Sequence, residues 1–158
     1  MRFLVLVALL GGCQSVPDME VRSMAMESDT TPAAILARNA DWKSAYDAVA
    51  LDAAAVAEIQ AAPAVHVDVY LGEWCGDSRR EVTRYFRLEE QGVPVTTTYV
   101  SLGRDFRGKH DLEAVPTFVV SRDGVVLGRI IETAPNSLEA DLASLVTGRV
   151  TGRISATR

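Results

Sequence analysis

The sequence predicts an α/β fold, in which helices flank a central mixed sheet of four strands and extra helices precede it. The run Val65–Leu71 is almost continuous in β-forming residues, which is consistent with a central strand buried on both faces. A stretch with helical spacing follows, and then a second β-forming run at residues 95–101. This order favours a parallel pair joined by a right-handed crossover. A turn signal at residues 122–124 lies between two further apolar runs and predicts an antiparallel hairpin.

Residues 1–12 have the features of a signal peptide, namely a positive start at Arg2 and a short apolar segment. The sequence leading to Cys13 resembles the bacterial lipobox, in which the cysteine becomes the lipidated first residue of the mature protein. The alternative is an ordinary secretory signal in which Cys13 is incidental. The lipobox reading predicts a periplasm-facing lipoprotein of the cell envelope that touches the membrane only through its anchor. By analogy with known sorting signals, Gln14 after the cysteine favours the outer membrane.

The next segments are predicted from composition. Residues 13–31 hold the anchor site and are otherwise polar without a sustained period, which predicts a flexible tether. Residues 32–63 are rich in alanine and form a predicted helical extension, with Asp52 as one N-cap, that is expected to pack over one face of the sheet. The α/β domain is predicted for residues 64–148, and a flexible tail for residues 149–158.

The elements of the domain follow from its apolar pattern. A helix is predicted over residues 76–90, because Val82 and Phe86 recur at helical spacing and lie on one face. The hairpin strands are predicted at residues 115–120 and at Val125–Ile131. A last helix with a stripe of leucines completes the domain.

The composition argues against several classes of function. The chain of 158 residues carries a net charge of −5 and no cluster of basic residues, so a nucleic-acid partner is not expected. Its two histidines and two cysteines lack the spacing of zinc ligands, and we expect neither a metal nor another cofactor. No apolar run reaches the roughly 20 residues of a membrane-spanning helix. We expect a monomer.

Cys75 is the residue on which the functional prediction depends. The strand before it runs into a glycine-containing turn, and the turn delivers Trp74 and Cys75 to the start of a helix. A cysteine there meets unpaired backbone N–H groups and the positive end of the helix dipole, which both favour the reactive thiolate. The alternative is a small buried side chain, which is common for free cysteines. The turn before the helix favours a reactive, partly exposed thiol.

Two motifs carry a resemblance to a known family. Trp-Cys-Gly-Asp-Ser at residues 74–78, followed by Val-Pro-Thr at residues 115–117, resembles the thioredoxin superfamily over roughly residues 64–147. The first motif is similar to that of a bacterial thioredoxin-like lipoprotein subgroup whose active-site loop lacks the second cysteine. The resemblance implies a thioredoxin-like fold and a cis proline, Pro116, beside the reactive sulfur. It also implies that Val115 offers its backbone to a bound peptide in the manner of a strand.

The active-site loop departs from the usual family pattern. Ser78 holds the place of the resolving cysteine and cannot release a mixed disulfide, although its hydroxyl is able to hydrogen-bond the thiolate. Asp77 sits where the family often has proline, and its carboxylate opposes thiolate formation, while Arg79 and Arg80 offer compensation. We expect Trp74 to cover the sulfur and to face a partner peptide.

A further departure concerns the buried acid that thioredoxins carry six residues before the cysteine, where this chain has Val69. Asp68 is one place away, and strand alternation puts it on the same face as His66 and Tyr70. Two interpretations of His66 and Asp68 remain, a solvated polar pair and a proton relay.

Three functions remain open. The first is extracytoplasmic thiol–disulfide exchange with Cys75 as the single nucleophile, for which clients with cysteines or extended peptides are expected. The second is a non-catalytic module that binds extended peptides, and the third is a peroxide or redox sensor in which Cys75 forms a sulfenic acid. The predicted catalytic residues are Cys75, Asp77 and Ser78, and the predicted substrate-binding residues are Trp74, Val115 and Pro116.

Overall fold

The computed structural model describes residues 27–156. The predicted signal peptide and the lipidation site at Cys13 lie outside these residues. The described helices are α1 (Pro32–Arg38), α2 (Ala40–Asp47), α3 (Ala53–Ala61), α4 (Gly76–Glu89) and α5 (Leu138–Val146). The described strands are β1 (Glu27–Asp29), β2 (Val65–Leu71), β3 (Val95–Leu102), β4 (Thr117–Arg122), β5 (Val125–Ile131) and β6 (Gly152–Ile154). Among these elements, no helix has the length and apolar character needed to cross a bilayer.

The strands form one mixed sheet in the order β1-β3-β2-β4-β5-β6. Strands β2 and β3 are parallel, with α4 between them in the chain, whereas β4 is antiparallel to both β2 and β5. The predicted mixed α/β class is therefore confirmed, and the predicted strands 65–71 and 125–131 have the observed bounds.

The prediction of four strands is wrong, because a short strand is added at each edge of the sheet. Strand β1 comes from the segment predicted to be a tether and pairs with β3, and β6 comes from the predicted tail and pairs with β5. Strands of three residues are too short to show an alternating pattern. The approach of β6 also needs glycine, because a Cβ on Gly128 would lie 2.3 Å from the carbonyl oxygen of Gly152.

The core lies between the sheet and the helices α4 and α5. The side chains of β2 alternate, with its four odd-numbered residues buried and His66, Asp68 and Tyr70 only half-buried. The expectation that this strand is buried on both faces is thus wrong. Helices α4 and α5 cover one face, and the other face remains partly open to solvent.

The helical extension packs mainly against the other helices. Asp52 caps α3 as predicted, since its carboxylate accepts hydrogen bonds from the backbone N–H groups of Ala54 and Ala55. Helix α2 packs against α4 and α3 against α5, so the extension packs on the helices that cover one face of the sheet. The buried indole of Trp42 contacts Phe86 of α4, with 6.4 Å between ring centroids. The extension also reaches the loop before α4, because the indole N–H of Trp42 donates a hydrogen bond to the carbonyl of Glu73.

Candidate functional site

Cys75 lies at the junction between β2 and α4. Its backbone N–H donates a hydrogen bond to the carbonyl of Gly72 at 2.9 Å, which closes the turn after the strand. Cys75 is the N-cap residue of α4, and its side chain makes no capping hydrogen bond. The half-buried thiol therefore sits at the positive end of a helix of 14 residues, with its sulfur not engaged by the helix itself.

The second predicted motif lies directly against this thiol. The peptide bond between Val115 and Pro116 is cis. The thiol of Cys75 donates a hydrogen bond to the carbonyl oxygen of Val115, with 3.4 Å between sulfur and oxygen. The structure therefore brings together two segments separated by 40 residues in the sequence.

Beneath the sulfur lies a small apolar cluster, separate from the main core. Cys75 and Tyr70 pack against it from the adjoining strand and loop. The connection between β3 and β4 supplies most of its members and covers this end of the open sheet face. The buried residues of the cluster are Leu102, Phe106, Leu112 and Val115.

Trp74 is fixed beside the thiol by contacts with the end of β3. Its indole N–H donates to the carbonyl of Leu102 at 3.0 Å, and its ring stacks on Phe106 with centroids 6.3 Å apart. The guanidinium of Arg104 lies over the ring, 4.6 Å from its centroid. The side chain is still 37% exposed, so it combines a fixed position with a surface that a partner can contact.

Ser78 is fully buried one turn into α4. Its hydroxyl oxygen accepts a hydrogen bond from the backbone N–H of Gly72 at 3.1 Å. Within residues 27–156 it makes no hydrogen bond to the sulfur of Cys75, in contrast to the contact that the sequence suggested. In this structure Ser78 holds the turn that carries Cys75.

The charge of Asp77 is compensated by one of the two predicted arginines. Arg80 donates to the Asp77 carboxylate at 2.9 Å and also to Glu81 at 2.9 Å. Arg79 turns instead towards Asp41 of α2, at 3.4 Å. Burial raises the pKa of Glu81, which is 5% exposed, even though the Arg80 guanidinium acts in the opposite direction.

The sequence analysis missed three residues that hold the loop before Cys75. The indole N–H of Trp42 donates to the backbone carbonyl of Glu73 at 3.1 Å. Arg38 binds both oxygens of the Glu73 carboxylate, at 2.5 and 3.0 Å, and Ser101 donates to it at 3.1 Å. The helical extension is therefore part of the framework of the site. The one feature of the sequence that could have indicated this role is Trp42, a large side chain in an otherwise alanine-rich segment.

A small groove lies beside Cys75 on the side of the extension. It has a volume of about 230 Å³ and separates the start of α2 from the loop that carries Cys75. The residues that line it are Asn39, Asp41, Trp42, Glu73, Trp74, Cys75, Gly76 and Arg79. In the described part of the chain, no group of three or more His, Cys, Asp and Glu side chains is arranged to hold a metal ion.

His66 and Asp68 form a polar pair on the open face of the sheet. The Nε2 atom of His66 lies 3.0 Å from the Asp68 carboxylate and 3.2 Å from the hydroxyl of Thr98. Both side chains are partly exposed, at 40% and 34%. Five strand residues, or roughly 16 Å, separate His66 from the end of β2 near the thiol. The pair is too far from Cys75 to exchange a proton with it directly.

Comparison with known proteins gives a likeness of fold. No protein-family model matches the sequence, and no curated protein matches it. The structure is similar to that of a protein of unknown function from Pseudomonas aeruginosa, with 18% identity, a TM-score of 0.62, and 86% of this chain and 100% of that chain covered. It is also similar to an HIV epitope scaffold, with 18% identity, a TM-score of 0.60, and 84% and 99% covered. At these identities the likeness concerns the fold alone.

Replacement of Gly72 by alanine tests how the indole is fixed. An added Cβ would lie 2.8 Å from the Trp74 ring, so the indole must move and loosen its bonds to Leu102 and Phe106. We expect a loss of about 1–3 kcal/mol in the free energy of unfolding. In ¹⁹F NMR of fluorotryptophan-labelled protein, the signal of Trp74 should shift while that of Trp42 stays. Gly76→Ala is the control, because its Cβ would meet nothing within 4 Å. If neither tryptophan resonance shifts in the Gly72→Ala variant, the close contact between residue 72 and the Trp74 ring does not fix the indole.

Proposed function

We propose that this chain is an extracytoplasmic thioredoxin-like protein that performs thiol–disulfide exchange with Cys75 as its single nucleophile. The observation that carries the proposal is the contact of 3.4 Å between the sulfur of Cys75 and the carbonyl oxygen of Val115. A reactive sulfur at a helix N-terminus, facing the backbone before Pro116, is the arrangement that the thioredoxin resemblance implies. The partial exposure of Cys75 supports the proposal further, because a client sulfur needs access to the thiol.

The chemistry proceeds in two exchanges. The thiolate of Cys75 attacks one sulfur of a client disulfide, a mixed disulfide forms, and the other client sulfur leaves as a thiolate. A second thiol then attacks the mixed disulfide and releases Cys75. Ser78 cannot supply that thiol, so it comes from the client's own second cysteine or from a small-molecule thiol. In this proposal the client contacts the indole of Trp74 and the backbone of Val115.

The site residues other than Cys75 hold or tune the sulfur. Ser78 fixes Gly72 and thereby the turn, and Asp77 adds a negative charge that Arg80 largely offsets. The proposed setting is the cell envelope, with the chain anchored through lipid on Cys13 and acting as a monomer on cysteine-containing or extended protein clients. The thioredoxin-like assignment of residues 64–148 belongs to the same proposal.

The function is tested with the full chain carrying Cys13→Ser, so that Cys75 is the only thiol. Incubation with 2-hydroxyethyl disulfide should give a mixed disulfide at Cys75, detected by mass spectrometry, and the Cys75→Ser variant should give none. Disulfide-linked proteins should likewise be recovered from cells only when Cys75 is present. A folded chain that forms no mixed disulfide in either experiment would leave peptide binding, and not exchange, as the role of this surface.

A second prediction concerns Ser78. Side chains three residues apart lie on the same helix face, so Ser78→Cys places a resolving thiol beside Cys75. We expect this variant to catalyse reduction of insulin disulfides by dithiothreitol, a turnover that the natural chain performs poorly. The control is Thr83→Cys, which introduces a thiol at another buried position of the same helix and should add no turnover. A folded but inactive Ser78→Cys variant would show that the inferred geometry around Cys75 is wrong.

A further inference from the structure

The carboxylates near the Cys75 loop are each paired with an arginine. Each of three acidic side chains around the Cys75 loop is in an ion pair, and two of these pairs tie the loop or α4 to the helical extension. In each pair the arginine offsets part of the negative charge of the carboxylate. The pairs are Glu73 with Arg38 at 2.5 Å, Asp77 with Arg80 at 2.9 Å, and Asp41 with Arg79 at 3.4 Å.

Arg104 differs from these arginines. It follows β3, is exposed, and lies 4.6 Å above the ring of Trp74, the residue that precedes Cys75. No carboxylate lies within ion-pair distance of it anywhere in residues 27–156. The indole beneath it is held by Leu102 and Phe106, so the guanidinium rests on a fixed platform. Cation–π contact of this kind places the charge while leaving its N–H donors able to bind an anion.

We propose that Arg104 determines substrate specificity, selecting disulfide partners that carry a carboxylate close to the attacked sulfur. This inference rests on the proposed exchange function of Cys75. A guanidinium donates charge-assisted hydrogen bonds to a carboxylate in a fixed, two-pronged geometry. The net charge of the chain is −5, which repels an anionic partner at long range, so a local cation such as Arg104, over the residue next to Cys75, is needed to favour one.

Arg104 takes no part in the bond changes. The Cys75 thiolate attacks the partner sulfur that lies near the carboxylate, the partner's S–S bond breaks, and the other sulfur leaves as a thiolate. Cys75 is oxidised to the mixed disulfide and the leaving sulfur is reduced. Arg104 lowers the free energy of the encounter complex that an anionic partner forms at the site before the sulfur is attacked.

The first test uses alkylation, which needs no disulfide exchange. In the Cys13→Ser chain, we compare the rates at which Cys75 reacts with iodoacetate, an anion, and with iodoacetamide, its neutral counterpart. In water, a unit charge within roughly 7–10 Å of the reacting atom changes the rate of reaction with an anion by roughly two- to threefold. We expect Arg104→Gln to lower the iodoacetate-to-iodoacetamide rate ratio by about that factor at low salt, and Arg104→Lys to restore most of it.

The matched control is Arg107→Gln. Arg107 is exposed in the same loop and, among the described residues, has neither an ion-pair partner nor a ring contact. This variant should leave the ratio unchanged. An equal fall of both rates in Arg104→Gln would overturn the proposal, since it would mean that Arg104 merely steadies Trp74. An equal change of the ratio in both variants would also overturn it.

The second test uses two disulfides, the dianion 3,3′-dithiodipropionate and the neutral 2-hydroxyethyl disulfide. Arg104→Gln should slow exchange with the dianion by two- to threefold or more and leave the neutral disulfide unaffected. An unchanged preference here would overturn the specificity role. If neither disulfide reacts with the natural chain while the alkylation ratio responds to Arg104, the proposed exchange function fails and the anion preference of the site stands.

Discussion

Replacement of Trp42 by alanine is expected to lower the free energy of unfolding by about 3–5 kcal/mol. The side chain is 1% exposed, packs against Phe86 of α4, and donates its indole N–H to the carbonyl of Glu73. Alanine leaves a large cavity between the extension and the domain, and it frees the loop that ends in Cys75. Chemical denaturation measured by circular dichroism gives the loss of stability.

The variant Trp42→Phe separates the packing from the hydrogen bond. Phenylalanine fills most of the space but cannot donate to Glu73, so we expect a loss of only about 1–2 kcal/mol. If the extension holds the site, the iodoacetamide rate at Cys75 should nevertheless change in this variant, under conditions where the protein is fully folded. An unchanged rate, together with the expected loss of stability, would limit Trp42 to a role in packing.

Replacement of Arg84 by alanine is the second change with a large expected effect. Arg84 binds the carboxylate of Glu139, which is fully buried between α4 and α5, and also donates to the carbonyl of Ala50 at 2.9 Å. Its removal leaves a buried charge that only backbone N–H groups stabilise, those of Asp52, at 2.8 Å, and of Glu139 itself. We expect a loss of about 3–5 kcal/mol at pH 7. Arg149→Ala, which breaks an exposed pair with Glu58, should cost less than about 1 kcal/mol.

The pH dependence of the Arg84 variant provides its decisive check. Burial alone would raise the pKa of Glu139, but the hydrogen bonds from Arg84 and from the Asp52 N–H outweigh it, and the pKa lies below its ordinary value of 4.5. The natural chain therefore keeps this contribution to stability above pH 4.5 and loses it as the pH falls through the lower folded pKa. Without Arg84, burial raises the pKa, and the ionised carboxyl destabilises the fold at neutral pH. The difference in unfolding free energy between the two chains should shrink from pH 7 to pH 4, and a constant difference would contradict this account.

The sequence predicted those parts of the fold that depend on local patterns. The bounds of Val65–Leu71 and Val125–Ile131 and the N-cap at Asp52 follow from runs of β-forming residues, a turn signal and capping, which act within a few residues. The edge strands β1 and β6 were not predicted, because their pairing depends on distant partners and, for β6, on the match of Gly128 with Gly152. A segment of three residues carries no periodic signal of its own.

The candidate site was likewise predicted only in those parts that short sequence motifs mark. Cys75 and Pro116 were singled out by short motifs, and the structure places the sulfur against the carbonyl next to that proline. The support of Glu73 by Arg38 and Trp42 spans 35 and 31 residues of sequence. From the sequence alone, Arg38, which binds the Glu73 carboxylate, cannot be distinguished from an arginine on a solvated helix face.

The sequence by itself determined a mixed α/β chain in which the thiol of Cys75 lies at the start of a helix, because runs of β-forming residues, helix spacing and the turn before Cys75 are local properties of the chain. The tertiary structure alone decided what surrounds that thiol. It set the loop against the helical extension, left one face of β2 partly open, and laid the guanidinium of Arg104 on the indole of Trp74. Those relations depend on how distant segments pack, and the energy of packing depends on all of the segments together.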